Sequence, residues 1–350
     1  MNTTQMLANF LRVLPLPTLL LDEDGRILAA NAPAQEILGN GITGRHYITA
    51  LRQPPALDAI ERALVQKHVA SAPFLSTIAQ SDVTYRVECA PFDIGGASVF
   101  AVSFHDETDA QNTQQMRSDF VADVSHELKT PLTSILGFIE TLQGPAAKDP
   151  NAQARFLDLM QTEARRMDAL VRDLLSLNRV EADERLRPTD MVDVQKVIAD
   201  AVQLVTPLAQ TRNTRLVMPS GNGRFEVTGD AAQLTQVVRN LLENAVLYSP
   251  ENSAVTVHLT GPQYAARLRR EALTISVIDQ GVGIDPLHLP RVTERFYRVD
   301  DHRARAMGGT GLGLAIVKHI INRHNGRLEI ESQVNHGSTF HVILPISAAS

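Results

Sequence analysis

Val121, Leu128, Ile135 and Leu142 recur every seven residues, with Val124, Leu132 and Ile139 at the intermediate positions. That period draws one apolar stripe along a long helix. The helix is expected from about Asp109, because the chain there is polar and helix-favouring and holds no Gly or Pro before Pro131. Gly144, Pro145 and the cluster Asp149-Pro150-Asn151 stop it. A second helix then carries Phe156, Met160, Met167, Leu170, Leu174 and Leu177 at spacings of three, four or seven. The two form a hairpin whose apolar face is too wide for one copy to cover. Two copies packed as a four-helix bundle, a homodimer, are the expected solution.

The flanking segments follow other periods. Residues 17–30, PTLLLDEDGRILAA, read as strand, turn and strand, with Gly25 free to take a positive φ. Helical patches at Pro33–Leu38 and Ala56–Val69 and strand-like runs at Thr84–Phe92 and Ala97–Phe104 complete a small α+β domain. Beyond the polar stretch Glu181–Asp190, helices and strands alternate up to a terminal hairpin, RLEIESQ and TFHVILPI joined through Asn335-His336-Gly337-Ser338. A terminal hairpin implies a mixed sheet in an α/β domain. Three domains are expected: 1–108, 109–182 and 183–350.

Composition removes several classes of function. Thirty-three Lys plus Arg against 39 Asp plus Glu leave a formal charge of -6, so there is no basic excess for direct nucleic-acid binding. Cys89 is the only cysteine, which excludes an internal disulfide framework and suits a small buried residue. No apolar stretch is long enough to span a bilayer: Leu11–Leu21 is broken by Arg12, Pro15 and Pro17. With no secretory signal either, a cytoplasmic location is expected, with membrane association not encoded in these residues.

Candidate chemistry begins on the first bundle helix. In Ser125-His126-Glu127-Leu128-Lys129-Thr130-Pro131, His126 falls outside the apolar series and should face solvent, with Thr130 four residues on along the same face. The Glu127 carboxylate can accept the ring proton and leave the other nitrogen nucleophilic. Pro131 removes the amide that would bond the Glu127 carbonyl, so a bend is expected there. By itself, an exposed helical His beside Glu is ordinary surface chemistry.

A second constellation lies in the last domain. Asp230-Ala231-Ala232-Gln233 opens a helix that packs Leu234, Val238, Leu241 and Ala245 inward. Asn240, Asn244 and Tyr248 recur on another stripe, and their carboxamide oxygens suit Mg²⁺, although aligned Asn residues also serve as helix-surface polar groups. Thr274–Ile278 reads as a strand delivering Asp279, whose carboxylate can accept from an adenine amino group. Gly281 and Gly283 follow, where backbone can approach the base. The glycine-interrupted stretch 300–309 suggests a mobile lid. The run Gly308-Gly309-Thr310-Gly311-Leu312-Gly313 opens a further helix, where free N–H groups favour phosphate. It follows a lid instead of a strand and lacks Gly-Lys-Ser/Thr, which argues against dinucleotide and P-loop folds.

These strings, in this order, resemble the H, N, G1, F and G2 boxes of sensor histidine kinases. The likeness is strong over roughly Arg117–Pro345, and DFVADVSHELKTPLTSILGFIETL is most similar to the phosphate-regulon sensor kinases. The N-terminal arrangement, with its exit His105-Asp106-Glu107-Thr108, resembles a PAS sensor domain. The resemblance implies a multidomain protein: an α+β PAS-like sensor, a dimeric helical-hairpin four-helix bundle, and an α/β sandwich ATP-binding domain of the Bergerat (GHKL) type. It implies that His126 is phosphorylated from ATP, that Glu127 is the general base, and that Thr130 positions water for dephosphorylating a response regulator. It further implies that Asn244 is the principal Mg²⁺ ligand with Asn240 assisting, and that Tyr248 and Asp279 meet the adenine. Arg298 of Phe296-Tyr297-Arg298 would approach the phosphates, as would Gly309, Thr310, Gly311, Leu312 and Gly313. The implied partners are a second copy of the chain and a response regulator of the DNA-binding type. Leu247 departs from the pattern, which places Lys or Arg before the Tyr. That departure keeps in view a nucleotide-binding scaffold or a phosphatase-biased kinase; an ATPase of the wider Bergerat class would not need the His-bearing hairpin.

Overall fold

The computed structural model describes residues 9–78, 81–94, 96–182, 186–218, 225–299 and 309–346. The chain divides into two compact units, Met1–Ala122 and Asp123–Ser350.

The first unit is built on a five-stranded antiparallel sheet ordered β2-β1-β5-β4-β3. Its strands are β1 (Thr18–Leu21), β2 (Ile27–Ala30), β3 (Ala70–Ile78), β4 (Ser81–Ile94) and β5 (Ala97–Asp106). Three helices lie between β2 and β3 in sequence: α1 (Ala32–Leu38), α2 (Tyr47–Ala50) and α3 (Pro54–Gln66). The β1–β2 turn uses Gly25 at φ 76, as expected, and a Cβ there would meet the Tyr47 ring at 2.8 Å. Asn31 caps α1, accepting from Ala34 N at 3.0 Å, and joins α1 to β1 by accepting from Thr18 N at 3.0 Å. The core gathers Leu19, Leu21, Ile27, Ile60, Phe100 and Phe104 around buried Cys89, whose thiol is pushed up to about 12 by burial.

The structure departs from the sequence pattern in two places here. The helix expected to reach Val69 ends at Gln66, because Lys67 takes a left-handed conformation at φ 55. Ala70–Ile78, left without an element, is a strand paired residue by residue with β4, from Ala70 opposite Cys89 to Ile78 opposite Ser81. Its small residues and Pro73 hide the alternation that burial reveals at Ala72 and Phe74.

The hairpin consists of α4 (Thr108–Gln143) and α5 (Pro150–Ala182). The helical assignment of α4 continues through Pro131. Asp149 caps α5, accepting from Asn151 N at 3.0 Å and Ala152 N at 3.1 Å. Phe138 and Phe156 meet across the hairpin with ring centroids 5.6 Å apart. The apolar residues of α4 are incompletely covered: Leu132 of the stripe is 47% exposed and Leu136 beside it 53%, whereas Leu170, Leu177 and Val180 on α5 are buried. No helix among the described residues is long and apolar enough to cross a membrane.

The remaining α/β layer has a five-stranded sheet ordered β11-β12-β10-β9-β7 and a small β6-β8 pair. Its strands are β6 (Met191–Asp193), β7 (Arg215–Val217), β8 (Glu226–Thr228), β9 (Ala254–Ala265), β10 (Arg270–Ile278), β11 (Arg327–Gln333) and β12 (Gly337–Pro345). β7 pairs with β9 in parallel and the other neighbours are antiparallel, so the sheet is mixed, as the terminal hairpin implied. The helices are α6 (Val194–Thr211), α7 (Ala231–Tyr248) and α8 (Gly313–Arg323). Val238, Leu241, Leu242 and Ala245 of α7 and Val317, Ile320 and Ile321 of α8 are buried, as are Val257, Ile275, Val277 and Val342 of the sheet. Two layers sharing such a core hold the polar edge of α7 beside the C-terminal end of β10.

Candidate functional site

A cavity of about 1210 Å³ opens along that polar edge. It brings together Asn240, Asn244, Tyr248, Asp279, Gly283, Arg298, Gly309, Thr310, Gly311 and Gly313, ten of the residues singled out in the sequence. Gly281 and Leu312 do not line it. His126, Glu127 and Thr130 stand on α4, outside this cavity.

Helix α7 is set at its start by Asp230, which caps it by accepting from Gln233 N at 3.1 Å. The reciprocal bond of a capping box is made by a different residue. Asp230 N donates to His324 Nε2 at 2.9 Å, and His324 Nδ1 lies 2.8 Å from Ile320 O. A ring accepting at Nε2 carries its proton on Nδ1 and is neutral, and burial lowers its pKa. His324 thus ties the end of α8 to the start of α7. Sequence reasoning missed it, because a histidine 94 residues from its partner gives no local signal.

Asn240 is buried and bridges two elements. Its Nδ2 donates to Gly313 O at 3.2 Å, and its Oδ1 accepts from Arg239 Nη2 at 3.3 Å. Asn244 and Tyr248 follow at one-turn intervals along the cavity wall, and Tyr248 is 37% exposed. Leu247 also lines the cavity, so the wall is apolar where the family pattern has a cation.

Asp279 sits just beyond β10, 7% exposed. Its Oδ1 accepts from Gly281 N at 2.7 Å and Ser338 N at 3.1 Å. Burial raises its pKa above the ordinary carboxylate value, against the opposing pull of those two bonds. The second oxygen takes no hydrogen bond from the described residues and belongs to a side chain on the cavity wall.

The glycines serve packing as much as access, which revises the sequence reading. A Cβ on Gly283 (φ +69) would fall 2.0 Å from Gln333 O, and one on Gly281 2.8 Å from Tyr248 O. A Cβ on Gly311 (φ +74) would fall 2.9 Å from Phe296 Cα, whereas one on Gly313 would meet nothing nearer than Asn240 Nδ2 at 3.7 Å. Helix α8 starts at Gly313, later than the glycine run suggested. Leu312 occupies its N-cap without a side-chain hydrogen bond, and its own side chain is fully buried, so only its backbone can meet a ligand. An uncapped first turn leaves N–H groups available to an anion. Most of the expected lid, residues 300–308, lies outside the described residues.

The α/β layer also touches the hairpin, through side chains the sequence did not connect. Glu127 Oε2 lies 3.3 Å from both Arg166 Nη2 and Arg298 Nη2. Glu127 is therefore engaged by two guanidinium groups and not by His126, and the side chain of Arg298, expected to face phosphates, is 4% exposed and also donates to Gly309 O. Asp173 Oδ2 accepts from Thr310 Oγ1 at 2.7 Å, Gln236 Nε2 donates to Ser176 Oγ at 2.7 Å, and Arg295 pairs with Glu181. Burial raises the Asp173 pKa, with Thr310 and the nearby Arg239 and Arg172 acting against it. His126 itself is exposed, and Thr130 Oγ1 donates to its carbonyl at 3.2 Å.

An exposed histidine on a helical hairpin, together with a cavity walled by two carboxamides, a buried carboxylate and an uncapped helix start, defines the core of a histidine kinase. Residues 116–183 match the His Kinase A (phospho-acceptor) domain, and residues 229–348 match the histidine kinase-, DNA gyrase B-, and HSP90-like ATPase domain. The chain belongs to the sensor histidine kinases, and within them it is most like the phosphate-regulon type. It is 43% identical over 235 residues to the phosphate regulon sensor protein PhoR of Pseudomonas aeruginosa, covering 67% of this chain and 51% of that one. To the sensor-like histidine kinase SenX3 of Mycolicibacterium smegmatis it is 38% identical over 247 residues, covering 70% and 62%. The sensor protein kinase WalK of Staphylococcus saprophyticus aligns over 93% of this chain and 52% of its own length at 32% identity. The chain thus spans between half and two thirds of the length of these relatives. In fold it is similar to histidine kinase ThkA, solved in complex with response regulator protein TrrA, with TM-score 0.55, 20% identity and coverage of 97% of this chain and 98% of that one.

Proposed function

We propose that the protein is an ATP-dependent histidine kinase that phosphorylates itself on His126 and passes the phosphoryl group to an aspartate of a response regulator. The observation that carries this reading is the pairing, within one unit, of solvent-exposed His126 with a cavity whose wall combines Asn240, Asn244, Asp279 and the uncapped start of α8. In that cavity Asp279 accepts from the adenine amino group and Tyr248 flanks the base. Gly309, Thr310, Gly311 and Gly313 present backbone to the phosphates, with Leu312 contributing its backbone alone. Carboxamide oxygens are hard donors, so Asn244 with Asn240 would hold Mg²⁺, which when bound would supply charge neutralisation on the phosphates.

An imidazole nitrogen of His126 bonds the γ-phosphorus as the bond to ADP breaks, and Glu127 takes the ring proton. Glu127 must first leave Arg166 and Arg298 to do so, which makes their contact a resting arrangement. Thr130, one turn from His126, orients water for hydrolysis of the phosphorylated regulator, a separate phosphatase reaction that releases inorganic phosphate. The engagement of Arg298 and the apolar Leu247 favour one second reading, a kinase biased toward phosphatase activity.

The half-exposed Leu132 and Leu136 support a homodimer in which a second hairpin covers them. The strand order β2-β1-β5-β4-β3, with α1 to α3 between β2 and β3, supports a PAS-like sensor over 1–108, followed by a hairpin domain over 109–182 and a catalytic domain over 183–350. The likeness to PhoR favours a DNA-binding regulator as partner, the net charge of -6 argues against direct nucleic-acid binding, and a cytoplasmic site of action suits such a partner. The test is incubation with γ-labelled ATP and Mg²⁺. Acid-labile, alkali-stable label on the wild type and not on His126→Gln is expected; equal label on both would exclude His126 as the acceptor.

A further inference from the structure

The following inference rests on the nucleotide reading above and concerns which cation meets the phosphates. Among the described residues, five carboxylates line the cavity, against three arginines: Arg172, Arg239 and Arg298. A nucleotide adds several negative charges to that lining, so a cation free to turn toward them is needed at the phosphate end. The Arg298 side chain is 4% exposed and engaged by Glu127 and Gly309 O. Arg172 lies on the hairpin helix α5, 71% exposed, and pairs with Asp168.

Arg239 differs from both. It stands on α7 directly before Asn240, and Asn240 reaches Gly313 O at 3.2 Å, so this end of the helix meets the glycine loop. The opposite end, at Tyr248, packs its carbonyl against Gly281 beside Asp279. Helix α7 therefore runs from a phosphate end to a base end, and Arg239 is at the former. Its present contacts are long, 3.3 Å from Nη2 to Asn240 Oδ1 and 3.6 Å from Nε to Glu243 Oε1. Its Nε, like that of Arg298, is buried without a hydrogen-bond partner, a donor left at a cost that a phosphate oxygen would remove; unlike Arg298, Arg239 makes no contact with the hairpin's Glu127 that would hold it away.

We propose that Arg239 is the phosphate-binding cation of this site, exchanging its contacts to Asn240 and Glu243 for nucleotide phosphate oxygens. The exchange also frees Asn240 Oδ1. In the resting protein Arg239 holds that oxygen; in the nucleotide complex it does not.

The experiment is titration of the full chain with fluorescent ATP, ADP and adenosine in Mg²⁺, for wild type, Arg239→Ala and Arg239→Lys, with melting curves to verify folding. Arg239→Ala is expected to weaken ATP by about ten-fold or more, as loss of one charge-assisted contact implies. ADP should be weakened too and adenosine left unchanged, with Arg239→Lys recovering part of the loss. ATP affinity within two-fold of wild type, or an equal loss for adenosine, overturns the proposal while leaving the nucleotide reading intact. A wild-type chain that binds none of the three ligands overturns both.

Discussion

Asp279→Asn separates recognition from folding, because the two oxygens of this carboxylate have different work. An asparagine keeps Oδ1, which can still accept from Gly281 N and Ser338 N at the present 2.7 and 3.1 Å. What changes is the other atom: an acceptor on the cavity wall becomes an NH₂ donor. A hydrogen bond to a charged acceptor contributes about 1.5–3 kcal/mol, and opposing two donors adds to the loss, so ATP affinity should fall by about 10²-fold. Stability should move the other way. Asp279 is 7% exposed, and burial raises its folded pKa above the unfolded value. Its charged form therefore costs stability at neutral pH, and that cost is relieved as pH falls through the folded pKa. The variant lacks the charge at every pH, so it should melt no lower than wild type at pH 7, with the difference narrowing as pH is lowered. Calorimetric ATP titration and melting curves across that range test both parts. Unchanged ATP affinity in a folded variant would show that Asp279 does not face the base, and a variant that unfolds would show that the loop needs the carboxylate charge.

His324→Ala removes the acceptor for Asp230 N and a buried ring, and should cost about 2–4 kcal/mol in denaturant unfolding. The wild-type folded pKa is lowered by burial, so this stabilisation is complete above the unfolded value of 6.5 and is lost as pH falls below it toward the folded pKa; the variant should lack that slope. Arg298→Ala leaves Glu127 with Arg166 alone, and hydrogen exchange in the Leu170–Glu181 part of α5 should rise as the docked arrangement loosens; unchanged protection would mean that the remaining contacts hold it. Leu136→Asp, at a position 53% exposed in one chain, should yield monomers by light scattering without lowering the helix content, whereas persistent dimers would place the interface elsewhere. Gly283→Ala would push a methyl to 2.0 Å from Gln333 O at a φ of +69, so it should lower the melting temperature even without nucleotide.

Much of this protein is legible along the chain because its signals are local. The seven-residue stripe marked the first helix of the hairpin and the three-, four- and seven-residue spacings the second, the Asp24-Gly25 and Asn335-His336-Gly337 turns marked two β-hairpins, and Asp230 marked the start of α7. Strand β3 escaped because alternation needs bulky residues to be visible, and its inward positions include an alanine. The chemistry divides in the same way. Side-chain types at helical spacing named Asn240, Asn244 and Tyr248, and a strand end named Asp279. Only the tertiary structure decided that Glu127 is engaged by Arg166 and Arg298, that Thr310 donates to Asp173, and that His324 supplies the missing half of the α7 cap. Each of those contacts joins residues at least 39 positions apart. Periodicity and turn chemistry reach only a few residues along the chain, so such pairings are set by how helices and sheet pack around a common core.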